Sequence, residues 1–246
     1  MALGTLGDSE FIGNRHGTKA LDVIALHGWG RSGTDFSTVL KDTQGLAVHL
    51  PGFGSAQAPP EAWTTADYAD HLAAALAGHD PVVVVGHSFG GRVALRLAAR
   101  HPHQVAALVL TGVPLVRRSA SAGQPLPFRL ARFARKRGLL SETRMEAFRQ
   151  RYGSSDYRTA QGVMRQILVS AIAETHWDDI ARITQPVTLV WGELDEPAPL
   201  AGAEKAREVF PNATLRVVPG ASHLLEGILE EELASALRLA LLTKGH

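Results

Sequence analysis

The apolar residues of this chain fall into short blocks set apart by glycine-rich or polar turns. Four blocks in the first half, at 22–26, 46–50, 82–85 and 106–110, are nearly unbroken runs of Val, Leu, Ile and Ala. Runs of that length, apolar at nearly every position, predict strands buried on both faces, as in the middle of a parallel sheet. Between them the pattern becomes helical. Thr64-Thr65-Ala66-Asp67 starts a helix to about Ala77, and 92–100 predicts another that stops at His101-Pro102. A shorter helix through Phe36, Val39 and Leu40 has Ser32 or Thr34 as its cap. Before about Thr18 the pattern is weak and predicts one or two edge strands around Asn14-Arg15-His16-Gly17.

From Pro114 to Thr184 the alternation gives way to helices alone, at 128–137, 142–152 and 157–174. It returns with a strand at 186–191, a helix at 203–210, a strand at 214–218 and a final amphipathic helix at 227–242. Strand and helix in alternation predict an α/β fold, a mostly parallel twisted sheet with helices on both faces. Residues 1–113 and 185–246 then form the core. Residues 114–184 form a helical lid inserted after the sixth strand, over the sheet edge where ligands bind in such folds.

Composition narrows the class. The chain has 246 residues, 45% of them hydrophobic, and a formal net charge of +1. This suits a folded core and gives no global charge argument for nucleic acid or membrane. There is no cysteine, which excludes disulfides, thiolate metal sites and a cysteine nucleophile. The N-terminus has neither the basic start nor the apolar core of a signal peptide, and no apolar run approaches membrane-spanning length. The expectation is a soluble cytoplasmic protein.

The chemistry centres on Gly86-His87-Ser88-Phe89-Gly90-Gly91, between a predicted strand and a predicted helix. A turn this sharp strains its apical residue and crowds its neighbours, and glycines at 86 and 90 remove the colliding side chains. Ser88 then stands at the carboxyl edge of the sheet and the amino end of a helix, whose free N–H groups suit a developing anion. A serine needs a base, and the base an orienting partner. Asp195 lies just past the strand at 186–191, with Glu193 and Glu196 as rival acids; His223 lies just past the next strand. No His and acid cluster has metal-ligand spacing, and no Gly-Lys-Ser/Thr follows the glycines, so no metal or cofactor is expected.

These landmarks resemble the α/β-hydrolase family from about Asp22 onward: His27-Gly28-Trp29, Leu50-Pro51-Gly52-Phe53-Gly54, the Ser88 elbow, Gly192-Glu193-Leu194-Asp195 and Gly220-Ala221-Ser222-His223. The resemblance implies that Ser88 attacks an acyl carbon, His223 is the base and Asp195 its orienting acid. It implies that the N–H groups of Trp29 and Phe89 bind the oxyanion, and that His27 supports the oxyanion loop. His87 is expected to pack beside the elbow. His49 stands where the family commonly has an acid.

The resemblance points first to a carboxylesterase acting through an acyl-enzyme. His-Gly-Trp-Gly and the basic lid also resemble the carboxylesterases that free a pimeloyl-carrier ester in biotin synthesis. The lid holds 13 Arg or Lys against 6 Asp or Glu. That excess is either solvated helix surface or a means of steering an anionic or carrier-linked ester substrate. The alternatives are a carbon–carbon bond hydrolase or a menaquinone-pathway type of lyase on the same residues, and a non-enzymatic small-molecule receptor. Arg92 matches a carboxylate-binding position of that lyase, or is an ordinary helix residue.

Overall fold

The computed structural model describes residues 2–6, 9–115, 126–141, 143–145, 148, 151 and 155–244. Among these residues eight strands form one sheet: β1 (Ala2–Thr5), β2 (Ile12–His16), β3 (Val23–Leu26), β4 (Gly45–His49), β5 (Val82–His87), β6 (Val105–Thr111), β7 (Val187–Gly192) and β8 (Ala213–Val218). Their spatial order is β1-β2-β4-β3-β5-β6-β7-β8. β1 and β2 run antiparallel to their neighbours, and the other pairings are parallel.

β5 shows why the apolar runs are strands. Val82 and Val84 enter the core on one face of the sheet, and Val83 and Val85 enter the core on the other. The first face is covered by α1 (Thr65–Ala75), α2 (Phe89–Arg100) and α7 (Leu200–Val209), through residues such as Leu72, Leu97 and Ala206. The second is covered by Phe36 and by Leu229, Leu233 and Leu237 of α8 (Gly227–Lys244). A strand with apolar layers on both sides has no use for a polar residue.

Thr64 caps α1 in a reciprocal box, accepting from the Asp67 N–H while Asp67 Oδ2 accepts from the Thr64 N–H at 2.7 Å. The helix expected after Ser32 is instead a 3-10 turn, Gly33–Phe36, begun by Ser32. Between β6 and β7 the described residues form helices α3 (Leu126–Lys136), α4 (Ser155–Thr159), α5 (Gly162–Ala173) and α6 (Trp177–Ile180). The helix expected over 157–174 is thus two, broken before Gly162, which has φ +52°. The helix expected over 142–152 lies largely outside the described residues.

Candidate active site

The loops after β3, β4, β5, β7 and β8 all open at the carboxyl edge of the parallel strands. Ser88 stands between β5 and α2 with φ 52° and ψ −112°, a backbone that side chains disfavour. The turn is held from both sides. The Ser88 N–H donates to the Thr111 carbonyl at 3.0 Å, and the Gly90 N–H donates to the His27 carbonyl at 3.0 Å. A Cβ at position 86 would lie 2.7 Å from Gly91 Cα, and one at position 90 would run into the Leu26 carbonyl. The spacing of the glycines is therefore a steric requirement of a helix packed this closely on β3 and β5.

Asp195 and His223 meet in the adjoining loops. His223 Nδ1 lies 2.9 Å from both carboxylate oxygens of Asp195. Asp195 is 4% exposed and also accepts from the Ala198 N–H at 2.7 Å. The Ala198 carbonyl is in turn held by the indole N–H of the fully buried Trp191, at 2.7 Å. Carboxylate and imidazole are thus oriented from the core outward. The rival acids are placed elsewhere: Glu193 Oε2 accepts from the Gly220 N–H at 2.9 Å, and Glu196 is exposed.

Thr111, which accepts from the Ser88 N–H, leads directly into Gly112. A Cβ there would sit 3.0 Å from His223 Nδ1 and 3.3 Å from Asp195 Oδ2. The three predicted residues therefore gather around one point at the end of β6. Among the described residues no hydrogen bond joins Ser88 Oγ to His223.

The expected anion donors lie beside Ser88. Among the described residues, neither the Trp29 nor the Phe89 N–H has a protein acceptor. Phe89 is the first residue of α2, where N–H groups are free by construction. His27 fixes the other donor. Its Nδ1–H donates to the Gly28 carbonyl at 2.8 Å, and its Nε2 accepts from the Leu50 N–H at 3.0 Å. The Gly28–Trp29 peptide is planar and trans, so anchoring its carbonyl turns the Trp29 N–H the opposite way. Burial pushes the His27 pKa down to about 4, which keeps Nε2 an acceptor.

His49, in the place of the family's acid, serves the local backbone. Its Nδ1 accepts from the Gly33 N–H at 3.3 Å, beside Gly54. Arg92 is buried. One guanidinium nitrogen donates to the Pro114 carbonyl at 2.9 Å and another to the Ala171 carbonyl. Next to Trp29 a cleft of about 310 Å³ opens between Gly52, Phe53, Ala160, Gln161 and Met164. Among the described residues its lining has no ionisable side chain. Neither this cleft nor the bond from His87 to the His223 carbonyl had a signal in the sequence.

A model of the alpha/beta hydrolase family matches residues 23–234. The chain belongs to the alpha/beta hydrolase family. The hydrolase is 32% identical over 224 residues to a pimeloyl-[acyl-carrier protein] methyl ester esterase of Aromatoleum aromaticum, covering 79% of this chain and 87% of that protein. It is equally close, over 225 residues, to the esterase of the same name from Chromobacterium violaceum, covering 82% and 87%. A bromoperoxidase from Bacillus anthracis superposes with a TM-score of 0.73 over 98% of the hydrolase and 99% of that chain, at 19% identity, which speaks for the fold alone. Among the described residues no helix is long and apolar enough to cross a membrane.

Proposed function

We propose that this α/β-hydrolase is a serine carboxylesterase working through an acyl-enzyme. Ser88 attacks the ester carbon while His223 takes its proton. The tetrahedral anion rests on the N–H groups of Trp29 and Phe89, and His223 returns the proton to the departing alcohol. Water then repeats the sequence to free the acid. Asp195 holds the His223 tautomer and stabilises its cation. Each oxyanion donor is worth about 2.7–4 kcal/mol of barrier. The observation that carries this reading is the His223–Asp195 pair, 2.9 Å apart, packed against the Gly112 turn whose neighbour Thr111 binds Ser88.

Residues 114–184 act as a lid on a core of 1–113 and 185–246. The cleft beside Trp29 takes an uncharged, small or medium arm of the ester, since it offers no counter-charge. A carrier-linked or otherwise anionic group would then sit outside it, toward the basic lid; both esterases compared above are named for a carrier-linked methyl ester. Arg117, Arg118 and Arg149 of that charge excess lie outside the described residues. Arg92 gives the lyase reading no support, because its guanidinium is occupied by main-chain carbonyls.

The test is labelling and turnover together. An organophosphonate is expected to modify Ser88, seen by peptide mass spectrometry, and p-nitrophenyl acyl esters to be hydrolysed. Ser88→Ala should remove both. Label on another residue, or no label on folded protein, would falsify the assignment.

A further inference from the structure

His87 lies immediately before the proposed nucleophile and takes no part in the steps above. It is 3% exposed, and its ring centroid is 4.9 Å from that of His223. The His87 Nε2–H donates to the main-chain carbonyl of His223 at 3.0 Å. On the other side, a Cβ on Gly28 would approach His87 Nδ1 to 3.1 Å and Ser88 Cβ to 3.4 Å. Gly28 thus rests directly on the ring. Nδ1 is buried and, among the described residues, has no hydrogen-bond partner.

The geometry points to His87 as a positioning residue, a rigid wedge that sets the distance between the oxyanion loop after β3 and the His223 loop after β8. The inference rests on the esterase reading above and deepens it. Three properties suit the ring to this role. It is part of β5, a strand buried at every position. It is planar, with few rotamers to lose. It is neutral, because burial, and next the nearby His223, push its pKa down to about 4. The His223 carbonyl, which can only accept, holds the one proton of the neutral ring on Nε2, and no cation stands beside an imidazole that must itself become charged. A charged or donor-free side chain at 87 would satisfy only some of these conditions.

The variants are His87→Leu, which keeps much of the bulk and removes the donor, and His87→Gln, whose amide restores a donor at similar reach. In His87→Leu, kcat on a p-nitrophenyl ester should fall about tenfold with KM within roughly twofold, as expected for loss of one hydrogen bond that aligns the base. Amide hydrogen exchange in the segment 220–226 should speed up by about as much. His87→Gln should recover most of both. Should His87→Leu fail to fold, His87→Asn replaces it, its amide being too short to reach the carbonyl.

Unchanged kcat and unchanged exchange in the donor-free variant would overturn the inference. So would a loss that His87→Gln does not relieve. The exchange measurement needs no turnover. Wild-type protein that hydrolyses no ester and takes no label at Ser88 defeats the esterase reading, whereas exchange at 220–226 still tests the wedge.

Discussion

Ser88 shows what a single residue costs. Holding a non-glycine residue at φ 52° and ψ −112° costs on the order of 1–3 kcal/mol. Glycine would relieve that strain but lose about 0.5–1 kcal/mol through its freer unfolded chain. Strain is the larger of the two. Ser88→Gly should therefore be more stable than Ser88→Ala by about 1 kcal/mol in urea unfolding, with both inactive. An alanine variant as stable as the glycine variant would mean that the elbow is not strained. This residue was legible in the sequence because its requirement is local: collisions at 86 and 90 demand glycine within two positions of the apex. His87 was not, since its partner is a main-chain carbonyl 136 residues away, and a carbonyl leaves no mark on residue identity.

At the scale of elements, α2 was predicted in place, but its polar face was not understood. Arg92, Arg96 and Arg100 lie one turn apart, so they share a face. Arg100 pairs with Asp70 of α1, and Arg96 reaches Asp179 at 2.6 Å and Glu174 at 3.5 Å, just past α5. Glu174 also binds Thr65 at the start of α1. Arg92 ties the start of the helical segment to α5, through the carbonyls of Pro114 and Ala171. Ala171 is in the last turn of α5, where carbonyls lack helical partners and a cation is favoured.

Two effects oppose each other in Arg92→Met. The substitution removes a buried charge that is costly to desolvate, and it leaves two carbonyls unpaired at about 1–3 kcal/mol each. The carbonyls should win, giving a net loss of about 2 kcal/mol in urea unfolding. Arg92→Lys, which can reach one of them, should lose less. A methionine variant as stable as wild type would show that the clasp holds nothing. The break before Gly162 was missed because a lone glycine is tolerated within a helical pattern. The extended backbone of Gln161 (φ −132°, ψ 161°) interrupts the run, and Gly162, with φ +52°, begins the next helix.

For the molecule as a whole, the sheet was legible because alternation of apolar runs and amphipathic stretches has few solutions, whereas its polar interior came into view only with coordinates. His27 and His87 are both pushed down to about 4, in each case chiefly by burial, and burial also lowers His16, His49 and His176. A histidine whose folded pKa lies below its unfolded value of about 6.5 binds its proton more readily in the unfolded chain. Stability is therefore intact above that value and declines as pH falls from about 6.5 toward 4. Asp179 contributes only below this window: burial raises its pKa, but His176, Arg96 and Arg182 outweigh that and leave it lowered. Within the window His27 and His87 should each cost about 1.4 kcal/mol per pH unit, roughly 3 kcal/mol from about 6.5 down to about 4. Against a total of about 5–15 kcal/mol, that should bring the protein close to unfolding by about pH 4. Urea unfolding free energies measured between pH 7 and pH 4.5 should fall steadily. His87→Gln, less stable at pH 7, should fall less steeply by about one proton's worth of slope. A flat pH dependence, or a slope that His87→Gln leaves unchanged, would mean that these rings are hydrated in solution and not sealed in the core.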